Sequence, residues 1–280
     1  MSRRLAAALA AGLLAFVVGC GGGSFEDDPL LALSAEEALA QGKALMEEGK
    51  YRRAEEYLNH AFEVEPNSPS GREALLLAAD ALFEAGGDDS LLRAEAKYRD
   101  FQNRFPTSAR GDYVLFQIAA SLQRRMRSPD RDQEPTRKAL AAYQEVIALY
   151  PTSEYAERAR AEIDVLRHQL AESEFLVGRF YHRIGLHPAA VARFEGLLEN
   201  YPGYPGTDRT LYLLGRSQLK MKRAAAAAET FDRLRSEFPE SPYLEEIPDF
   251  EVPPPVAEEA GEEGSEPEPT EAPAEGDGSS

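Results

Sequence analysis

The amino-acid sequence predicts an all-α chain, a superhelical stack or solenoid of five helix–turn–helix units. Three observations carry this. First, Pro66, Pro106, Pro151, Pro202 and Pro239 each close a copy of one pattern. An alanine stands twelve residues before each proline (Ala54, Ala94, Ala139, Ala190, Ala227) and a large apolar residue eight before (Leu58, Tyr98, Tyr143, Phe194, Phe231). Another apolar residue stands five before (Ala61, Phe101, Val146, Leu197, Leu234). These spacings differ by four and three, so the positions share one helix face, and the proline then stops the helix. Second, the residue before the proline is aromatic in four copies (Phe105, Tyr150, Tyr201, Phe238), with Glu65 the exception. Third, three copies place a glycine twenty-four residues before the proline, at Gly42, Gly178 and Gly215, where a small residue lets two helices approach closely.

Taken in order, copy one (35–69) predicts helices over 35–48 and 51–64, joined at Glu48-Gly49-Lys50-Tyr51 with glycine at the helix C-terminus. Copy two (70–108) predicts helices over 70–85 and 90–104 around a longer turn, Gly86-Gly87-Asp88-Asp89. Copy three (109–153) predicts helices over 109–126 and 135–149, with an insertion from Arg124 to Pro135. Copy four (154–205) opens with one long helix over 154–183, because that run holds no proline and only Gly178. Its turn is Ile184-Gly185-Leu186-His187 and its second helix covers 187–200. Copy five (206–243) predicts helices over 207–221 and 224–237. Each pair can bury its apolar face only against neighbours, so the array is expected to present a concave surface.

The ends of the chain differ from this body. Arg3 and Arg4 followed by the apolar run Leu5 to Val18 predict a signal peptide over 1–19; the run is too short to span a bilayer. It closes on Val17-Val18-Gly19-Cys20, which resembles a bacterial lipobox, so Cys20 is the expected lipidation site and residues 20–34 a flexible tether. Gly21, rather than aspartate, follows the cysteine and favours the outer membrane. Cys20 is the sole cysteine, so no intramolecular disulfide supports the repeats. Residues 244–280 hold thirteen acidic and no basic residues, which predicts a disordered tail. Its apolar island, Ile247 to Phe250 with Val252, reads as spacer more readily than as a binding motif. The tail supplies most of the net charge of −18, and no basic stripe remains in the body that would suit nucleic acid.

Chemistry-bearing motifs point to binding rather than turnover. No Gly-rich phosphate loop, H-E-x-x-H or G-x-S-x-G is present, and no cofactor is implied. His168 and Glu172 lie four apart on one helix, but no third metal ligand stands at helical spacing. Asp130, Asp132 and Glu134 begin like a calcium loop, yet Pro135 and Ala141 occupy the positions that need glycine and glutamate. Neither is expected to hold a metal.

The helix-pair pattern resembles the tetratricopeptide repeat. Three stretches narrow the resemblance. Copy three opens Asp112-Tyr113-Val114, and its insertion reads Arg127-Ser128-Pro129-Asp130-Arg131-Asp132. Tyr150-Pro151-Thr152-Ser153-Glu154-Tyr155 follows, and copy four carries Val191-Ala192-Arg193-Phe194-Glu195-Gly196. With the lipobox and tether, these are similar to the outer membrane protein assembly factor BamD family over about residues 35–243. The resemblance implies a non-catalytic, lipid-anchored subunit of the β-barrel assembly machinery on the periplasmic leaflet of the outer membrane. Its C-terminal repeats would dock the periplasmic domains of the barrel-forming subunit. Its N-terminal repeats would receive unfolded outer-membrane β-barrel peptides, beside accessory lipoproteins of the same machine. Arg193 would then be a partner contact; an exposed arginine paired to Glu195 or Glu199 is the equal alternative. A periplasmic tetratricopeptide protein of the Tol-Pal cell-division coordinator type is the other family open to this sequence.

Overall fold

The computed structural model describes residues 29–252. Cys20, the signal segment and most of the acidic tail lie outside them. Ten α-helices follow one another: α1 Ala35–Glu47, α2 Tyr51–Val64, α3 Pro69–Ala85, α4 Asp88–Arg104, α5 Gly111–Gln123, α6 Glu134–Leu149, α7 Glu154–Arg183, α8 His187–Asn200, α9 Thr207–Lys220 and α10 Ala224–Glu237. Short 3₁₀ turns flank them at Pro29–Ala32 and Pro242–Leu244. No strand forms among the described residues.

Each helix packs on the one before and the one after, and α1–α3, α5–α7 and α7–α9 also touch. First helices of successive pairs therefore line the inner face, as in an α-α superhelix. The pattern explains how each pair closes. All five repeat alanines are fully buried, as are Leu58, Phe194 and Phe231, with Tyr98 and Tyr143 alongside. The five prolines are exposed and act through the backbone alone. The residue before each, held out of the helical region at ψ between 56° and 72°, donates its N–H to the carbonyl of the apolar residue five before the proline, from Glu65 to Ala61 through Phe238 to Leu234. Ser34 and Glu37 form a reciprocal capping box on α1, and Ser68 and Ser153 cap α3 and α7.

The glycines show why the helices can meet. A Cβ on Gly42 would stand 2.6 Å from Leu58 Cγ, one on Gly178 2.5 Å from Phe194 Cε1, and one on Gly215 2.6 Å from Phe231 Cε1. Each glycine is thus the hole for the large residue of its own copy.

Three differences from the sequence expectation have physical causes. In copy two the turn is confined to Gly86 and Gly87, both at positive φ, so Asp88 and Asp89 already belong to the first turn of α4. In copy three α5 ends at Gln123 and residues 124–126 turn away. The third concerns the tail. Leu244, Ile247 and Phe250, assigned by composition to a disordered segment, pack on Leu211, Tyr212, Ala227, Phe231 and Leu234. Tyr243 stacks on Tyr212 at 5.2 Å, Phe250 lies 5.7 Å from Phe231, and Tyr212 Oη donates to Glu246. Among the described residues no α-helix follows α10, and this strap covers the apolar face that a sixth pair would have buried.

Candidate functional site

A cleft of 550 Å³ opens between α3, the end of α4 and the loop 105–110. Leu76, Phe101 and Phe105 form its apolar wall, and Arg72, Arg104 and Arg110 bring three guanidinium groups to its rim. The helix ends account for this placement. Phe105 is the pre-proline aromatic of copy two, so stopping α4 at Pro106 delivers its ring and the following loop to the cleft. Arg72 sits 5.8 Å from the Phe105 ring and Arg110 4.7 Å from Tyr113, and neither makes an ion pair among the described residues. Arg104 is held by Asp100 at 2.7 Å, and Glu73 is drawn off by Lys43. These two guanidinium groups above an aromatic, apolar floor suit a peptide segment with both a carboxylate and an apolar side chain.

Behind the cleft lies a buried polar knot. Tyr98 and Tyr113 both donate to Asp80 Oδ1 at 2.6 Å, and Gln117 donates to both phenol oxygens. Burial pushes the Asp80 carboxyl up against the opposing pull of the two hydroxyls. The knot joins α3, α4 and α5, fixing the walls of the cleft.

Arg193 lies on the outer helix of copy four. It pairs with Glu174 of α7 at 2.8 Å, not with Glu195 or Glu199. Arg193 is exposed and Glu174 partly so, and with Gly196, Asn200 and Tyr201 they line a groove of 190 Å³. The copy-three insertion is held by buried Gln133, whose amide donates to the Ser128 and Arg131 carbonyls and whose Oε1 accepts from Thr136. Gln169 of α7 adds a bond to the Arg127 carbonyl. Asp130 and Asp132 serve the loop itself, accepting from Ser128 Oγ and the Glu134 amide. His168 is exposed, and Glu172 instead binds Tyr204 and Arg209. Among the described residues no group of three acidic, histidine or cysteine side chains could hold a metal. Arg72 and Arg110 went unnoticed in the sequence because they belong to no repeat position, and they meet only when α3 packs against the end of α4 and the loop that follows it.

The family model described as "Outer membrane lipoprotein", YfiO, matches residues 32–215. The chain belongs to this outer membrane lipoprotein family. A second model, "Tetratricopeptide repeat", matches residues 209–241 and identifies copy five as that repeat. Curated relatives named "Outer membrane protein assembly factor BamD" agree with both. The one from Caulobacter vibrioides is 28% identical over 223 residues, covering 77% of this chain and 70% of its own. That from Neisseria gonorrhoeae is 28% identical over 221 residues, covering 75% and 82%. That from Rickettsia prowazekii is 26% identical over 181 residues, covering 65% and 71%. Among solved structures, the TPR2AB domain–pHSP90 complex of yeast Sti1 is similar over 73% of this chain and 78% of that one at 16% identity, with a TM-score of 0.41. The family match disfavours the Tol-Pal coordinator reading. No helix among the described residues is long and apolar enough to cross a membrane.

Proposed function

We propose that this chain is the tetratricopeptide scaffold of an outer-membrane β-barrel assembly machine, a non-catalytic subunit held to the periplasmic leaflet by a lipid on Cys20. The relatives named outer membrane protein assembly factor, which match 77% and 75% of this chain, carry the assembly role. On this reading the cleft at Arg72, Phe105 and Arg110 receives an unfolded barrel segment, its carboxylate on the guanidinium groups and an apolar side chain against the ring. The outer face of copy four docks the periplasmic domains of the barrel-forming subunit, among accessory lipoproteins of the same machine. Arg193 suits that role because its pair with Glu174 is solvent-exposed and stabilises the fold by at most about 1 kcal/mol, so it can be exchanged for a partner's carboxylate cheaply.

Affinity capture from detergent-solubilised membranes tests the proposal. Recovery of a large barrel protein with periplasmic domains supports it, and its absence refutes it. Cys20→Ser should release the chain from the membrane fraction; unchanged partitioning would rule out the lipid anchor.

A further inference from the structure

Repeats four and five carry an edge whose charge opposes that of the chain. Between Glu174 and Glu195 there are three arginines and two histidines, and between Asp208 and Glu229 five basic residues, with no carboxylate in either stretch. The fold brings the ends of these stretches together. His182 Nδ1 lies 2.8 Å from Ser217 Oγ, joining the end of α7 to the end of α9. Burial first, then the neighbouring His187, Arg216 and Lys220, depress His182. Arg183, Lys220, Lys222 and Arg223 are exposed and form no ion pair among the described residues. Phe180, Ile184 and Leu186 are each about half exposed on the same edge.

One residue of this edge is held at a cost. Lys222 has φ 59°, the only positive φ outside glycine among the described residues, where the turns of copies one and four use Gly49 and Gly185. The left-handed region costs a side-chain-bearing residue roughly 1 kcal/mol, and retained strain of this kind points to a role for the side chain.

The strap points at this edge. Ser241 Oγ donates to Asp208 at the start of α9, Tyr243 and Glu246 meet Tyr212, and Phe250 reaches Phe231 opposite Gly215. The chain therefore runs along α9 toward Lys220. From the level of Gly215 to the 220–223 turn is roughly 8–12 Å along the helix, which about four extended residues cover. The next residues are Pro253-Pro254-Pro255-Val256, and residues 253–280 carry nine acidic and no basic side chains.

We infer that the acidic segment 253–280 docks on the cationic edge formed by Arg183, Lys220, Lys222 and Arg223. The tail is then an internal cover for a surface that would otherwise attract anionic membranes or acidic partners.

Two measurements test it. Zero-length carbodiimide coupling of the full chain at high dilution should join Lys220 or Lys222 to carboxylates between Glu258 and Glu268, as read by mass spectrometry. A fluorescein-labelled peptide of residues 253–280 should bind the chain truncated after Val252 at low ionic strength and lose that binding near 0.5 M salt, where the screening length is only about 4 Å. The triple change Lys220→Glu, Lys222→Glu, Arg223→Glu should weaken the peptide about tenfold or more, and helical circular dichroism confirms that this variant folds. Absence of both the cross-links and the anisotropy rise overturns the inference. So does peptide binding that survives the triple change, because the tail then sits elsewhere. Phosphatidylglycerol vesicles bound equally by the full and truncated chains would also overturn it, since the edge would be free in the full chain; binding only after truncation supports the cover.

Discussion

Gly215→Ala should destabilise the protein, although the same change in an ordinary helix interior stabilises it by about 0.8–1.0 kcal/mol. The added Cβ would stand 2.6 Å from both Cε1 and Cζ of Phe231. Comfortable carbon–carbon contact lies near 3.5–4.0 Å, so the ring must retreat by roughly 1 Å. It has nowhere to go: Phe231 is fully buried, and Phe250 of the strap closes the space at 5.7 Å. Overpacking of this kind costs about 1–3 kcal/mol, which leaves a net loss of about 1 kcal/mol after the helix gain. Phe231→Val removes the obstructing ring atoms and itself costs about 2–3 kcal/mol. In that background Gly215→Ala should change sign and stabilise by close to the full propensity difference. Urea unfolding of the four proteins gives the cycle, with coupling of about 1–3 kcal/mol expected. A gain on Gly215→Ala in the wild-type background, or equal effects in both, would refute the reading of glycine as a hole for the facing aromatic.

Further outcomes follow from other sites. Tyr98→Phe should cost about 1–3 kcal/mol in urea unfolding, because Asp80 loses one of its two phenol donors while staying buried. Asp80 has a raised folded-state pKa, so its contribution is fully present below the ordinary carboxylate value and is lost as pH rises through the raised one. The stability of wild type relative to Asp80→Asn should therefore fall as pH rises from about 4, as read from denaturation midpoints across that range. Gln133→Ala should loosen residues 124–133, read as faster amide hydrogen exchange there while the helices stay protected. Lys222→Gly should raise stability by about 1 kcal/mol in the same unfolding assay by removing the left-handed lysine. Arg193→Ala should change stability by less than about 1 kcal/mol while reducing recovery of the barrel-forming subunit in affinity capture.

The helices were readable because proline and the alanine-to-aromatic spacing act locally, within one helix. Contacts between helices were not. Glu195 or Glu199, its neighbours in sequence, were the intramolecular partners open to Arg193, yet it reaches nineteen residues back to Glu174, because α7 and α8 run antiparallel and present these two side chains to each other. The Asp80–Tyr98–Tyr113 knot draws on three helices and has no signature in any one of them. The strap was hidden by its setting. Leu244, Ile247 and Phe250 recur at three-residue intervals, a weak apolar signal submerged in acidic and proline-rich sequence, and it gains meaning only beside the uncovered face of copy five. The cleft was half visible: Phe105 belongs to the repeat pattern, but Arg72 and Arg110 come from a preceding helix and a following loop.

The long helix α7 has a mechanical consequence. It is 30 residues, roughly 45 Å of unbroken helix. Ala159 and Leu166 in its first half belong to the core of copies two and three, while Ala171 and Phe175 in its second half belong to the core of copy four. A helix rooted in both cores works as a shared beam. The arginine-rimmed cleft and the Arg193 face therefore keep a fixed separation, and a load taken up at one end is borne at the other without a hinge to absorb it.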